Sequence, residues 1–257
     1  MAGCYSAHYS WSTMATESSP RLFTSVNDPA ADQHLNGEYF KKHPTWHVEY
    51  SPWKADNIHR FLKRKQLDPR TICEVGCGAG EVLRQLQMKM DSQCQFWGYD
   101  VAPPAIEMAK KKGENDLLHF DVADFGAIET PNYDLLLVLE VVDHVEDYIG
   151  FLRMLKKKAQ WKLFSFSLDI SVQSAFRKGA FAQRRNVHSH LHHFNKETAL
   201  GTLEYAGFEI VDYFYPTNLA MSRLAKLAKP IRTLTFGPAP DLTVRLFGGY
   251  SLMVLTR

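Results

Sequence analysis

The feature that most limits how this chain folds is a five-residue glycine hinge. Thr71-Ile-Cys-Glu74-Val75 is a short apolar run of strand character, and it breaks at once into Gly76-Cys-Gly78-Ala-Gly80. A helical pattern follows to about Met90, with Val82, Leu83 and Leu86 on one face. A strand that turns into a helix so quickly needs backbone conformations that a side chain obstructs, and glycine supplies them. The same glycines let a ligand approach the main chain at the helix N-terminus. Downstream, short apolar runs at 93–99, 117–120, 133–139 and 162–168 alternate with helical patterns. One of these helices opens on Pro103-Pro104, and another spans 147–158. This alternation predicts a doubly wound α/β fold with a parallel sheet and right-handed crossovers. The nearly continuous apolar run Tyr133–Leu139 suits a strand covered on both faces. A helix at 196–206, stopped by Gly207, then precedes two strands, 209–215 and 250–256.

Outside this frame, residues 1–35 are rich in Ser, Thr and Ala and read as a flexible arm, and 36–257 read as one domain. Its first part, 36–66, is expected to be a cap. It gathers Tyr39, Phe40, Trp46, Tyr50 and Trp53 and continues into an amphipathic helix, 54–65, with Ile58, Phe61 and Leu62 on one face. The stretches 171–193, basic and His-rich, and 216–247, with four prolines, do not fit the alternation and read as lids or acceptor-site insertions. The basic piece 222–232 could touch a membrane surface or an anion, although such a run is more often a solvated face.

Composition excludes several classes. With 45% apolar and 23% charged residues, the chain has ordinary globular usage. A net charge of +2 neither calls for a nucleic-acid partner nor rules one out. The longest apolar runs are too short for a transmembrane helix, and the first residues carry no signal-peptide pattern. Cys4, Cys73, Cys77 and Cys94 lack zinc-site spacing and read as free thiols. A reducing, cytoplasmic setting is the expectation.

The spacing of the glycines narrows the ligand. A dinucleotide fingerprint in this register needs glycine at 81, where the chain has Glu81. A negative charge there disfavours a pyrophosphate at the helix start. Glu74-Val-Gly76-Cys-Gly78-Ala-Gly80 after a strand instead resembles motif I of class I S-adenosylmethionine-dependent methyltransferases. Three further landmarks of that family follow in order. Asp100-Val101 ends the second strand, Asp121-Val122 follows the third, and Leu139-Glu140-Val-Val-Asp143-His144 follows the fourth. The resemblance implies a Rossmann-like, mostly parallel seven-stranded sheet with an antiparallel last strand. It also implies S-adenosylmethionine as cofactor and S-adenosylhomocysteine as product. Glu74, Gly76, Gly78 and Gly80 would surround the amino acid end of that cofactor. Asp100 would accept from both ribose hydroxyls, since one carboxylate can take two donors. Asp121 and the Val122 amide would meet the adenine, and Val101 and Leu139 would line its site. A sulfonium attracts aromatic faces, so Tyr39, Trp46 or Trp53 of the cap is expected near it, Trp46 first.

Methyl transfer needs an aligned nucleophile and, often, a base. Histidine is the natural base near neutral pH. The expected candidates are His144 and His190, with Glu140 positioning cofactor or substrate. Glu140, Asp143, His144 and His190 could together ligate a metal, faintly resembling small-RNA 2′-O-methyltransferases, but no metal is expected. The string His43-Pro-Thr-Trp46-His47 is similar to bacterial methyltransferases of sugars or secondary metabolites. The expectation is therefore a methyltransferase acting on an O or N atom of a small molecule, with a sugar or glycoconjugate first. A homodimer is compatible with it. The alternatives are a metal-assisted RNA 2′-O-methyltransferase and a non-catalytic cofactor-binding protein.

Overall fold

Seven strands form one sheet in the order β3-β2-β1-β4-β5-β7-β6. In the computed structural model, which describes residues 38–129, 132–216 and 229–257, they are β1 Thr71–Val75, β2 Gln95–Asp100, β3 Leu118–Val122, β4 Tyr133–Leu139, β5 Ala159–Leu168, β6 Ile210–Phe214 and β7 Tyr250–Thr256. The first five run parallel, and β7 lies antiparallel between β5 and β6. The expected arm, 1–35, and most of the basic piece, 222–232, lie outside the described residues.

The helices are α1 Glu38–Lys42, α2 Ser51–Arg64, α3 Glu81–Gln87, α4 Pro103–Lys112, α5 Tyr148–Leu155, α6 Val172–Phe176, α7 Ala180–His188, α8 Lys196–Tyr205, α9 Lys229–Phe236 and α10 Pro240–Phe247. Their ends follow local chemistry. Proline opens α2, α4 and α10, where its missing N–H costs nothing. The Asp147 carboxylate caps α5 by accepting from the Gly150 amide, and an Asn195/Thr198 capping box starts α8.

The sheet is buried on both faces, as the apolar run of β4 requires. Ile58, Phe61 and Leu62 of α2, with Leu83 and Leu86 of α3, cover one face against Phe96 and Phe120. Phe151, Leu152 and Leu155 of α5, with Leu203 of α8, cover the other against Phe164 and Phe166. Each such side chain contributes roughly 1.5–3 kcal/mol by leaving water. Two boundaries differ from the sequence reading in a way that matters. β2 and β3 each run farther, to Asp100 and Val122, because these two residues pair with each other across the ladder. The stretch 171–193 holds two helices, α6 and α7, and the described part of 216–247 holds α9 and α10.

Asp134 ties the start of β4 to its neighbour. Its Oδ2 accepts from the Arg70 and Thr71 amides, each at 2.9 Å, while Thr71 Oγ1 accepts from the Asp134 amide at 2.8 Å. Replacing Asp134 with Ala removes the acceptor for two amides. It is expected to lower stability by about 1–3 kcal/mol, read as a reduced urea midpoint with an unchanged slope.

Candidate active site

The chain leaves β1 toward β2 and β3 on one side, and from β4 it builds toward β5 on the other. At such a reversal the crossovers diverge and leave a crevice at the carboxyl ends of the strands. A cavity of about 530 Å³ lies there. Its wall includes Glu74, Gly76, Gly78, Asp100, Val101, Leu139, Glu140, His144, His190 and, from the cap, Trp46.

The glycine loop is held from below by β2. The Gly76 and Cys77 amides donate to the Tyr99 carbonyl at 2.8 and 3.1 Å. The Gly78 amide donates to Asp100 Oδ2 at 2.8 Å, and the Ala102 amide to Oδ1 at 2.9 Å. Asp100 is buried, which pushes its pKa up, while these amides pull it back. Each oxygen still has a lone pair for another donor. Gly78 has φ +54°, and a Cβ there would stand 2.3 Å from Cδ1 of Trp46. Only a bare α-carbon lets the indole lie against the loop. Trp46 and His47 hold left-handed backbone, φ 51° and 56°, a costly conformation for these side chains. Buried Tyr39 braces Trp46 edge-on at 5.3 Å.

Two acids have contrasting surroundings. Glu74 is buried with Oε2 unpartnered, and burial raises its pKa to about 8 against the opposing pull of Lys54. Glu140, in left-handed backbone at φ 58°, meets Lys54 Nζ at 2.7 Å and accepts from Ser251 Oγ at 3.3 Å. Burial alone would push Glu140 up, but the Lys54 ammonium holds it below the ordinary carboxylate range.

The opposite wall is built around Asp169, the residue that follows β5. Its Oδ2 accepts from Nδ1 of His190 at 2.7 Å and of His193 at 2.9 Å, and Arg184 Nε donates to Oδ1 at 2.6 Å. His144 closes a short 3-10 turn, Val142–His144, after β4. Its Nδ1–H donates to the Ser189 carbonyl at 3.0 Å, which commits that nitrogen as a donor. The His190 ring stands edge-on to it at 5.1 Å.

Three predicted residues stand elsewhere. Gly80 caps α3, and a Cβ on it would strike Phe120 at 2.4 Å, so its role is close packing of helix on sheet. Asp121 and Val122 are exposed and off the cavity wall, because this end of β3 faces solvent and Lys110 draws Asp121 outward at 3.1 Å. Ala123 and Phe125 line the wall there instead. The four residues considered as metal ligands are not assembled either. Glu140 is bound to Lys54, and Asp143 is buried off the cavity wall with both carboxylate oxygens unpartnered. Among the described residues, the group whose atoms could share an ion is Asp169, His190 and His193, within 4.8 Å, with Arg184 already on the same carboxylate. His192 bonds the Val145 carbonyl, a structural contact. Sequence reasoning missed Lys54, which read as one more helix lysine, and Asp169, although its place at the end of a central strand was a usable signal. Glu81 at the head of α3 is off the cavity wall and pairs with Lys112 at 3.3 Å and with Arg84 at 3.7 Å.

The chain matches a family model described as a methyltransferase domain over residues 47–213. It is similar to ajmaline N-methyltransferase of Rauvolfia serpentina, 29% identical over 97 residues, which are 35% of this chain and 33% of that protein. The chain thus spans about a third of the length of that curated relative. Among solved structures, it resembles the plantazolicin methyltransferase in complex with S-adenosylhomocysteine, with TM-score 0.59 and 15% identity, over 89% of this chain and 95% of that one. It also resembles the N-methyltransferase NodS from Bradyrhizobium japonicum in complex with the same compound, with TM-score 0.55 and 17% identity, over 86% and 96%. At these identities the likeness to solved structures is one of fold.

Glu74 has a pH signature. Its carboxyl titrates near 4.5 in the unfolded chain and near 8 in the folded one. Between these values the folded state keeps a proton that the unfolded state has lost. This contribution to stability is full below 4.5 and is lost as pH rises through 8. Glu74→Gln, neutral throughout, is expected to match wild type near pH 4.5 and to melt several degrees higher near pH 8.5. A melting difference that stays flat with pH would contradict a proton on buried Glu74.

Proposed function

The chain belongs to the methyltransferase domain family, and on that premise we propose that it moves a methyl group from S-adenosylmethionine to an oxygen or nitrogen of a small molecule. The observation that carries this reading is buried Asp100 at the end of β2, its carboxylate tied to the glycine loop on the crevice wall. The cavity suits this cofactor in other ways. Glu74 offers an unpartnered oxygen, and the loop has no side chains at Gly76 and Gly78.

When bound, S-adenosylmethionine supplies a methyl group already activated by its sulfonium. The protein's share is binding, alignment and proton removal. Asp100 receives the two vicinal ribose hydroxyls on its spare lone pairs. Gly76, Gly78 and Glu74 surround the amino acid end, and Val101, Ala123, Phe125 and Leu139 form the adenine side of the wall. Tyr39 and Trp46 present aromatic faces suited to a sulfonium and, as parts of the cap, exclude water. His144 is the base. Its Nδ1–H is committed to the Ser189 carbonyl, so Nε2 takes the proton that the acceptor loses. Asp169 orients His190 beside it. Glu140 with Lys54 shapes the floor between cofactor and acceptor.

Residues 36–257 act as one domain, with 36–66 as its cap and 171–193 and 216–247 as its lids. A small molecule fits the cavity better than a nucleic acid. A sugar or glycoconjugate is the narrower choice, supported only by the string His43-Pro-Thr-Trp46-His47. The metal-assisted RNA reading loses support because, among the described residues, its four candidate ligands do not form a group whose atoms could share one ion.

Calorimetric titration tests the cofactor. Wild type is expected to bind S-adenosylmethionine and S-adenosylhomocysteine with micromolar affinity, and Asp100→Ala about 10–100-fold more weakly or not at all. A folded wild type that binds neither would overturn the proposal. The role of the base is tested with the first acceptor found by screening. His144→Gln is expected to lower kcat by about 10²–10⁴-fold while the S-adenosylhomocysteine affinity stays at the wild-type value.

A further inference from the structure

The lid helices α6 and α7 bring two guanidinium groups to the cavity, Arg177 at the end of α6 and Arg184 on α7. The charges of the wall can be matched one by one. The Lys54 ammonium lies against Glu140, and the Arg184 guanidinium lies against Asp169. Asp100 is satisfied by the loop amides, and Glu74 stands away from the lid on β1. Among the described residues of the wall, Arg177 is the cation whose side-chain bond goes to a neutral group, donating from Nη2 to Gln183 Oε1 at 3.0 Å. The lid holds a second unused donor. Arg184 spends Nε on Asp169, and its Nη1 is buried without a partner. A buried guanidinium N–H left unpaired is costly and calls for an acceptor oxygen.

Near Arg177, α6 exposes apolar side chains off the cavity wall. Phe176 is 88% exposed and Val172 42% exposed on the same short helix. α10, which packs on α6, adds Leu246 at 38%. A planar guanidinium beside exposed apolar side chains matches an amphiphilic anion, because the fork binds two oxygens of one carboxylate or phosphate.

We propose that the lid is an anion subsite, in which Arg177, assisted by Gln183 and Arg184, receives a carboxylate or phosphate group carried on an apolar acceptor molecule. The subsite rests on the reading of the cavity as a methyl-transfer site, and it names the chemical class of the acceptor. It uses charge as a handle, leaving His144 to face the atom that is methylated. The surroundings offer little competition, since the nearby Asp169 is already shared among Arg184, His190 and His193.

The test uses the full chain saturated with S-adenosylhomocysteine and three probes with the same tail: octanoate, octyl phosphate and octylamine. Binding is followed by calorimetry in wild type, Arg177→Gln and Lys178→Gln, the last removing an exposed neighbouring charge that is not on the cavity wall. At least one anionic probe is expected to bind tenfold or more tightly than octylamine. Arg177→Gln is expected to erase that preference and Lys178→Gln to leave it intact. The better of the two anions identifies carboxylate or phosphate as the group. Equal binding of amine and anions, absence of binding by all three probes, or equal losses in the two variants would overturn the subsite. Saturation with S-adenosylhomocysteine is verified first. Its failure would count against the cofactor reading, whereas its success followed by anion failure would count against the subsite alone.

Discussion

The Asp100 carboxylate, shared between the Gly78 and Ala102 amides, is the contact on which the rest of the site depends. A loop that leaves a strand and turns into a helix strands its own amides, because no ladder or helix partner is in reach. Asp100 and the Tyr99 carbonyl take up those donors, and the loop is thereby fixed to β2 rather than to itself. Strand order does the rest. With β1 and β4 side by side in the middle of the sheet and the crossovers diverging between them, the loop and Asp100 face a crevice instead of a packed helix.

Besides the apolar face of α2 buried against the sheet, specific contacts join the cap to the site. Trp46 lies against Gly78, and Lys54 reaches from α2 to Glu140 at the end of β4. Three residues here, Trp46, His47 and Glu140, hold left-handed backbone. Such conformations persist where surrounding contacts over-determine them, and here these contacts belong to the cavity wall. The cap thus links a buried ion pair to the shape of the ligand site, so changes in α2 are felt at the carboxyl end of β4.

Much of this organisation was legible in the residues. The strands at 71–75, 133–139 and 250–256 follow directly from their apolar runs. The glycine hinge and Asp100 stand where motif spacing puts them. Asp121 and Val122 show the limit of that spacing. The residues after β3 do fall near the site, but the last two of the strand face solvent and the wall passes to Ala123 and Phe125. A shift of one residue along a strand reverses which side faces the cavity, and a pattern of letters does not resolve it. Lys54 carried no signal, since a lysine on an amphipathic helix normally faces water.

The sequence by itself determined the class of fold, the nature of the strand-to-helix turn and the departure from a dinucleotide fingerprint at Glu81. These follow from local properties: hydrophobic period, glycine's conformational freedom and the sign of one charge. Only the tertiary structure decided which carbonyl holds the His144 ring, which acid is paired with a lysine and which is buried with an oxygen unpartnered. Those outcomes depend on contacts between residues far apart in the chain, Lys54 with Glu140, His144 with Ser189, and Asp169 with His190 and Arg184. A titratable group takes its charge and its tautomer from its neighbours in space, and the fold alone supplies these neighbours.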